Sequence, residues 1–387
     1  MARVRSRILQ RASHVRLVAL PAIWLALFAY AGRPLVAAAR AGGIAPALAW
    51  GGIFVLAMVA LSPMIFRGVE SLRRRIFLHW IGYATLAVFA MLLVLVAVGD
   101  VVRFVSFLTS LATTLPLLNG RAVSFAILGA AGVLSLVGLF QARCPRVKRV
   151  SVAIDDLPED LEGYRIVQWS DVHVGPTIQK RFVASLVERT NALEADAIAI
   201  TGDLVDSYFH EVGDAIEPLA DLRARDGVFY VTGNHEYYWR AHEWIPELQR
   251  RGLQFLKNEN RLIRRGDATL AMAGVTDPVG RHSHAPDPDR AVAGVPREAV
   301  KVLLSHRPQT AQDSDRLGVH LQLSGHTHGG QFFPFNLFIR WFQPVVAGLH
   351  RIGKTQLYVS RGTGYWGPPS RLGVHGEITV LELRRAS

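Results

Sequence analysis

Leu323-Ser-Gly-His-Thr-His-Gly-Gly-Gln331 is the stretch around which the C-terminal part of this sequence is organised. An apolar run leads into it, so we interpret it as the end of a β-strand followed by a glycine-rich loop. Alternation along an extended backbone puts His326 and His328 on the same side, and the glycines let the backbone approach an ion or a phosphate closely. Paired loop histidines are either metal ligands or solvated side chains, so companion ligands elsewhere must decide between the two.

Basic charge is concentrated in the N-terminal part of the chain. The 387 residues carry a formal charge of +12, and half of them are hydrophobic. Residues 1–150 hold 17 basic residues against two acidic ones, Glu70 and Asp100, whereas the remainder holds 26 basic and 29 acidic residues. A basic total can indicate nucleic-acid binding, but this one belongs to a hydrophobic region, so we expect no nucleic-acid partner. The single cysteine, Cys144, excludes an internal disulfide.

Four long apolar runs predict an N-terminal domain of transmembrane helices over residues 1–142. A spanning helix needs about 20 largely apolar residues, and the first run is the weakest candidate because it is short and contains Pro21. Any single run could be a buried core helix, but three long uncharged runs in one chain disfavour that alternative. The predicted spans are 17–32, 44–66, 76–99 and 122–142, and a basic linker, 143–149, follows them.

The distribution of basic residues predicts an orientation in the membrane. With four spans, the segments Met1 to Arg16, Arg67 to Arg75 and Arg143 to Arg149 share one side, and together they carry 13 basic residues. The two loops on the opposite side carry four. Cytoplasmic loops carry the excess of Lys and Arg, so we expect the C-terminal domain to be cytoplasmic.

Short apolar runs alternate with helical patterns from Val150 onward, which predicts an α/β domain over 150–387. Gln179 to Leu193 has the pattern of an amphipathic helix. The predicted strands are Val150 to Ile154, Tyr164 to Trp169, Ala197 to Thr201, Val228 to Val231, Leu270 to Ala273, Lys301 to Leu304, Val319 to Leu323, Leu357 to Ser360 and Ile378 to Leu383.

Polar clusters follow five of these strands, where open α/β sheets tend to bind ligands. Each cluster alone has a structural alternative, such as a helix cap or a turn, but five in succession that mix Asp, Asn and His favour a metal site. Oxygen and imidazole ligands without thiolates suit Mn, Fe or Zn in a reactive centre better than a structural zinc site. The clusters are Ser170-Asp-Val-His173, Thr201-Gly-Asp-Leu-Val-Asp206, Thr232-Gly-Asn-His-Glu236, Ser305-His-Arg-Pro308 and Gly325-His-Thr-His328.

The order Asp-x-His, Gly-Asp-x-x-Asp, Gly-Asn-His-Glu, a lone His and Gly-His-x-His resembles the calcineurin-like metallophosphoesterase superfamily from about Val150 onward. The Gly-His-Thr-His-Gly-Gly-Gln form, with Arg361-Gly-Thr-Gly-Tyr-Trp-Gly-Pro-Pro369 downstream, is most similar to the bacterial membrane-associated branch of that superfamily. The resemblance implies a sandwich of two sheets flanked by helices, in four αββα layers, with a two-metal centre at one edge. It also implies an integral protein of the bacterial inner (cell) membrane.

The resemblance carries over residue by residue to a pair of divalent metal ions, Mn, Fe or Zn. The first ion would be held by Asp171, His173, Asp203 and His328. The second would be held by Asp203 as the bridge, Asn234, His306 and His326. His235 would act as general acid toward the leaving oxygen or stabilise developing charge, and Asp206 would orient it. Glu236 stands where many relatives carry Asp, and we expect little consequence of that difference.

The sequence therefore predicts a membrane-anchored phosphoesterase that hydrolyses a phosphodiester or pyrophosphate bond with a metal-activated water. The alternative is a catalytically weak, metal-holding regulatory or binding module on a membrane protein, which the complete ligand set and His235 disfavour. The aromatic run Phe332 to Phe342 is either a core segment packed on the sheet or an amphipathic flap at the bilayer interface. A flap beside the metals, together with the membrane anchor, favours a phosphate-ester substrate with a lipid tail.

Overall fold

The computed structural model describes residues 2–66, 72–109, 121–331 and 333–386, with the side chains of 2–18 and 72 left undescribed. The chain divides into two compact units, Met1–Val137 and Gly138–Ser387. The domain limits expected from the sequence, with a membrane domain over 1–142 and a second domain over 150–387, stay predictions.

Apolar helices make up the described part of the first unit and continue into the start of the second. Three segments of them are long and apolar enough to cross a membrane: Ala19–Ala41, Arg73–Leu108 and Arg121–Arg143. The helices are α1 (Ala2–Ala41), α2 (Pro46–Ala60), α3 (Ser62–Ile65), α4 (Leu72–Leu108) and α5 (Arg121–Arg143).

The first two predicted spans, 17–32 and 44–66, differ most from the structure. Helix α1 continues through Pro21 and Pro34, so the run judged weakest becomes one of the three long candidates. The second run divides into α2 and α3 because Pro63 has no N–H to donate to the helix and lies in the first turn of the next one. With 15 residues, α2 is shorter than a spanning helix requires. Part of the basic segment 67–75 used to predict orientation lies outside the described residues.

The second unit contains twelve described strands in two six-stranded sheets. The strands are β1 (Arg146–Ile154), β2 (Arg165–Trp169), β3 (Ala197–Thr201), β4 (Val228–Val231), β5 (Leu253–Phe255), β6 (Glu259–Arg265), β7 (Ala268–Gly274), β8 (Val300–Leu304), β9 (Leu321–Ser324), β10 (Gly348–Ile352), β11 (Thr355–Val359) and β12 (Glu377–Arg385). The helices are α6 (Lys180–Asn191), α7 (Phe209–Val212), α8 (Asn234–Tyr238), α9 (Ala241–Arg250), α10 (Pro288–Ala291), α11 (Ala311–Arg316) and α12 (Phe335–Phe338).

Parallel pairing brings the site-bearing strands into line within each sheet. The first sheet has the order β1-β12-β2-β3-β4-β5, and only β12 and β2 pair antiparallel. The second has the order β10-β11-β9-β8-β7-β6, with antiparallel pairs at its two edges. The carboxyl ends of β2, β3 and β4 therefore lie side by side, as do those of β8 and β9.

Alternate residues of the central strands fill two apolar layers. Ile166 of β2 packs between the two sheets with residues of β7, β8 and β9. Val167 and Trp169 of the same strand pack on the opposite face with Phe182 and Leu186 of α6. On the outer face of the second sheet, separate apolar clusters include residues of α10 and α11. The predicted sandwich of two sheets flanked by helices is thereby confirmed.

The basic segment expected to be a linker, 143–149, is ordered secondary structure instead. Helix α5 ends at Arg143 and β1 begins at Arg146, which leaves Cys144 and Pro145 between them. Strand β1 pairs only with β12 among the described strands and is an edge strand. Edge strands tolerate charged residues because one side of the strand is open to water, which explains how Arg146 to Arg149 join the sheet.

Candidate metal centre

The five polar clusters converge at the carboxyl ends of strands from both sheets. Each cluster begins at, or directly after, the last residue of its strand. The sandwich therefore brings together side chains that are up to 157 positions apart in the sequence. Three overlapping groups of ligand atoms have all members within 4.8 Å of one another. Those groups are Asp171, His173 and His328; His173, Asp203 and His235; and Asp203, His306 and His326.

The backbone at these positions is held in an unusual conformation. Five of the seven predicted ligands have positive φ angles, between 50° and 73°, a region that non-glycine residues rarely adopt. Such angles persist only where the surroundings impose them, and they concentrate at functional sites. Gly233 illustrates how tightly the loops pack, because a Cβ atom there would collide with the Asp203 carboxylate. The five residues are Asp171, His173, Asp203, His326 and His328.

Asp203 occupies the centre of the cluster. Its Oδ2 atom lies 3.2 Å from Nε2 of His306 and 3.9 Å from Nε2 of His173. Its Oδ1 atom accepts the backbone N–H of His235 at 2.8 Å, which fixes the orientation of the carboxylate. One carboxylate oxygen therefore faces histidines from both sheets, which is the position expected for a bridging ligand.

On one side of Asp203, the imidazole nitrogens of two histidines face each other. Nε2 of His173 and Nε2 of His328 are 3.0 Å apart, and Oδ1 of Asp171 lies 3.4 Å from the latter. The Asp171 carboxylate is held in place by the backbone N–H of His326 at 3.1 Å and by the Ser170 hydroxyl at 2.5 Å. Two imidazole nitrogens and a carboxylate oxygen that converge in this way form a donor set suited to a cation.

On the other side of Asp203, the ring of His306 has a defined orientation. Its Nδ1–H donates to the backbone carbonyl of Thr201 at 2.8 Å, which leaves Nε2 to face the Asp203 carboxylate. This Nε2 lies 3.2 Å from Nδ1 of His326. Asn234 adds a buried Oδ1 with no hydrogen-bond partner among the described residues. A buried oxygen without a donor is unfavourable, and a metal ion at this place would satisfy it.

Burial and mutual repulsion keep most of these imidazoles neutral. Burial and the neighbouring His235 lower the pKa of His173 to about 3, and burial and His306 lower the pKa of His326 to about 4. Burial and His173 also lower the pKa of His328. Burial alone would lower the pKa of His306 too, but the Asp203 carboxylate raises it to about 10. Neutral imidazole is the form that binds metals, and the carboxylates attract positive charge to the place a cation would take.

His235 and Asp206 form a separate pair beside this cluster. Nδ1 of His235 donates to Oδ1 of Asp206 at 2.7 Å, and the indole N–H of Trp239 donates to the same oxygen at 2.8 Å. Burial opposes protonation, but the hydrogen bond to the Asp206 carboxylate raises the pKa of His235 to about 9. The His235 ring packs edge-on against His173 with 4.6 Å between ring centroids, so the His235–Asp206 pair lies next to the proposed ligands.

The presence of Glu rather than Asp at position 236 was expected to have little consequence, and the structure gives the Glu236 side chain a central supporting position. Its fully buried carboxylate accepts backbone N–H groups from Gly233, Asp203 and Leu204 at 2.6, 3.0 and 2.7 Å. It thereby ties the loop that carries Asp203 to the loop that carries Asn234. Burial raises the pKa of Glu236 to about 7. The Gly-Asn-His-Glu spacing, which puts Glu236 three residues after the Gly233 N–H that it accepts, was the signal available for this role.

Arg371 is a second supporting residue that the sequence did not reveal. Its guanidinium is completely buried and donates to the backbone carbonyls of Gly364 at 2.7 Å and Arg361 at 2.8 Å. One of its nitrogens lies 3.2 Å from Nδ1 of His328. Burial lowers the pKa of Arg371 to about 10. An isolated Arg in a Pro-rich and Gly-rich stretch, 43 positions from the histidine it contacts, gives no local sequence signal.

Comparison with known proteins agrees with the geometry. Residues 164–330 match the calcineurin-like phosphoesterase family. The chain is 36% identical over 266 residues to a transmembrane protein with metallophosphoesterase domain from Danio rerio, and 39% identical over 269 residues to one from Bos taurus. Each alignment covers 66% of this chain and 61% of the relative. An uncharacterized metallophosphoesterase of Campylobacter jejuni is 37% identical, over 62% of this chain and 64% of the relative.

The matched region contains both the ligand clusters and the strands that position them, and the ligand chemistry indicates divalent metal binding. The resemblance stated from the motifs is confirmed by these matches. Three apolar helices of spanning length and relatives named as transmembrane proteins indicate a membrane protein. The chain therefore carries a domain of the calcineurin-like metallophosphoesterase family, attached to helices that can cross a membrane.

Proposed function

We propose that this domain hydrolyses a phosphodiester or pyrophosphate bond, with two divalent metal ions held by the seven ligands predicted from the sequence. The position of Asp203 carries this proposal, because a single carboxylate oxygen faces His306 at 3.2 Å and His173 at 3.9 Å. The two pairs of facing imidazole nitrogens on either side of it supply separate donor sets for two ions.

Bound divalent cations supply the activation of a water nucleophile and neutralise charge on the phosphoryl oxygens. The residues of this chain would do the rest. His235 donates a proton to the leaving oxygen, because its Nδ1–H is engaged by Asp206 and its other nitrogen is left to face the substrate. Asp206 keeps that ring oriented and stabilises its protonated form. Glu236 holds the Asp203 loop, so that the bridging carboxylate stays in place.

The choice of metal follows from the donor set. Carboxylate, amide and imidazole donors, without a thiolate among them, suit Mn, Fe or Zn. We propose one of these ions at each position. Metal analysis of the purified full chain, by mass spectrometry of the elements, would identify which ions are retained and in what ratio.

A lipid-linked phosphate ester is the substrate class we favour, and a cytoplasmic site is the orientation we favour. An exposed aromatic stretch that begins seven residues after His328 supports the lipid-linked substrate. The basic charge that flanks the predicted spans supports the cytoplasmic orientation. Rates on lipid-linked and soluble diesters in the same bilayer preparation test the substrate class, and equal or faster turnover of soluble diesters would contradict it.

Substitution of the bridging ligand tests the metal centre. Asp203→Asn keeps the size of the side chain but removes the charge, and we expect loss of metal together with at least a ~100-fold fall in activity on a chromogenic phosphodiester. Asp289→Asn is the matched control, because Asp289 is exposed and paired with Arg316 outside the site. Unchanged activity of Asp203→Asn would contradict the proposed centre.

The alternative of a catalytically weak, metal-holding module has its own outcome. In that case the wild-type chain would bind metal with the predicted dependence on Asp203, yet turn over none of a panel of phosphodiesters, pyrophosphates and lipid-linked esters. Activity that disappears in Asp203→Asn and persists in Asp289→Asn would rule that module out.

A further inference from the structure

The stretch of residues 335–342, here called the aromatic segment, exposes large apolar side chains. Among the described residues after Arg143, ten large hydrophobic residues are exposed, and five of the ten lie in this segment. Trp341 is 78% exposed and Phe342 is 69% exposed. Contiguous exposed apolar surface on a folded domain marks a contact with a partner or a membrane. The five are Phe335, Leu337, Phe338, Trp341 and Phe342.

The aromatic segment is fixed to the loop that carries His328. Gly330 packs so closely against it that a Cβ atom there would lie 2.5 Å from the Cα of Asn336 and 3.0 Å from the side chain of Ile339. Ile339 is buried and holds the segment down, while the flanking aromatic residues stay exposed. Exposure therefore does not come from a detached loop, and the core-packing interpretation of this run fails for its exposed members.

The same segment adjoins the loop that packs against the end of α5. Within the second unit, the backbone N–H of Arg371 donates to the carbonyl of Gly138 at 3.0 Å, and that of Gly373 donates to Oε1 of Gln141 at 3.1 Å. Asn336 reaches the other side of this loop, since its Nδ2 lies 3.4 Å from where a Cβ of Gly373 would be. One loop thus touches both the aromatic segment and the last turns of a helix of spanning length.

Helix geometry gives the depth of this loop. A helix rises 1.5 Å per residue, so the 23 residues of α5 extend about 35 Å, slightly more than the roughly 30 Å hydrocarbon core of a bilayer. Gly138 and Gln141 lie about 7.5 and 3 Å from the Arg143 end of the helix. If α5 spans with its length centred on the core, Gln141 lies at the boundary between the hydrocarbon and the headgroups and Gly138 about 5 Å deeper, so residues that contact them lie at this membrane interface.

We propose that the aromatic segment lies in the headgroup region of the bilayer, on the side where α5 ends, and contacts lipid directly. Trp favours this region because its ring is amphipathic, and Phe favours it because its ring buries apolar area at the boundary between the headgroups and the acyl chains. Arg340, exposed between the aromatic residues, is placed to meet lipid phosphates. The contact holds the His328 loop against the membrane surface, and it does not depend on the reaction that the domain catalyses.

A fluorescent label at Trp341 tests this contact in the full chain. Cys144, the only cysteine, is first replaced by Ser. An environment-sensitive dye is then attached through Trp341→Cys, Phe342→Cys or, as the matched control, Leu262→Cys, and each chain is placed in nanodiscs. Leu262 is also an exposed apolar residue, but it lies on β6, at the opposite edge of the second sheet from β10.

Lipids brominated in their acyl chains should remove most of the fluorescence from the labels at positions 341 and 342 and leave the label at 262 unchanged. Iodide in the water should quench only the label at 262. If iodide quenches all three labels equally and brominated lipid quenches none, the segment faces water and the proposal is wrong. If the label at 341 is shielded from iodide only when several chains share a nanodisc, a second copy covers the segment, which also overturns the proposal.

Discussion

Replacing Glu236 by Gln tests how far the centre depends on a residue that binds no metal. The two carboxylate oxygens of Glu236 accept four backbone N–H groups, those of Gly233 and Asp203 on one oxygen and those of Leu204 and Val205 on the other. Gln keeps one oxygen and turns an NH₂ group toward two of these donors. Above about pH 8, where the Glu236 carboxylate is ionised, the substitution therefore removes two buried hydrogen bonds to a charged group.

The size of the effect follows from those two bonds. A hydrogen bond to a charged group contributes about 1.5–3 kcal/mol, so the loss is roughly 3–6 kcal/mol of local stability. Since every 1.4 kcal/mol is a factor of ten, backbone amides of this loop should exchange with solvent at least about 100-fold faster if they exchange by local opening. The loop carries Asp203, so we expect metal content to fall as well.

Hydrogen exchange followed by mass spectrometry measures this in peptides that cover 202–206 and 233–236. Glu259→Gln is the control, because Glu259 lies on edge strand β6 with an exposed ion pair to Arg261. In Glu259→Gln, the peptides around position 259 and those of the two loops of the centre should exchange as in the wild type. Unchanged exchange of both loops in Glu236→Gln would refute the supporting role assigned to this carboxylate.

Three further predictions concern the neighbours of the centre. Asp206→Asn should lower kcat about 100-fold with metal content unchanged. The alkaline limb of the pH–rate profile should move to lower pH, because losing the carboxylate lowers the pKa of His235. Loss of metal in this variant would contradict the role assigned to Asp206. Arg371→Met should cost about 3 kcal/mol or more of stability in thermal unfolding, because it leaves buried carbonyls without donors, whereas Arg316→Met at an exposed position should cost little, and equal effects would contradict this. Adding divalent metal at about 100 times its Kd to chelator-treated protein should stabilise the fold by about 2.7 kcal/mol, and Asp203→Asn should remove most of this gain in the same unfolding measurement.

The interior of the fold was predictable because central strands are buried on both faces. Strands β3 and β4 have the limits expected from their continuous apolar runs, Ala197–Thr201 and Val228–Val231. Strands β5, β6 and β10 were not predicted, and all three are edge strands. Strand β5 has only three residues. Strands β6 and β10 carry several charged or polar residues, as in Glu259–Arg265, so their pairing comes from backbone hydrogen bonds rather than from an apolar pattern.

The candidate ligands were predictable for a different reason, since each follows a recognisable strand and keeps a short local spacing. The residues that support them were not, because their partners are distant in sequence. Arg371 meets His328 across 43 positions, and Glu236 reaches the Asp203 loop across more than 30. Such roles depend on which loops the sandwich brings together, and a spacing rule within one motif does not contain that information.

The pairing of β1 with β12 has a consequence for biosynthesis. Strand β1 leaves the ribosome directly after α5, but its only partner among the described strands begins 223 positions after β1 ends. At 5–20 residues per second, β1 waits about 10 to 45 s for that partner. Strand β12 also lies between β1 and β2, so the first sheet cannot be completed until translation has passed Arg385. A nascent chain shortened before Glu377 would keep every proposed ligand and yet expose two unpaired strand edges, which makes it a target for chaperones and proteases.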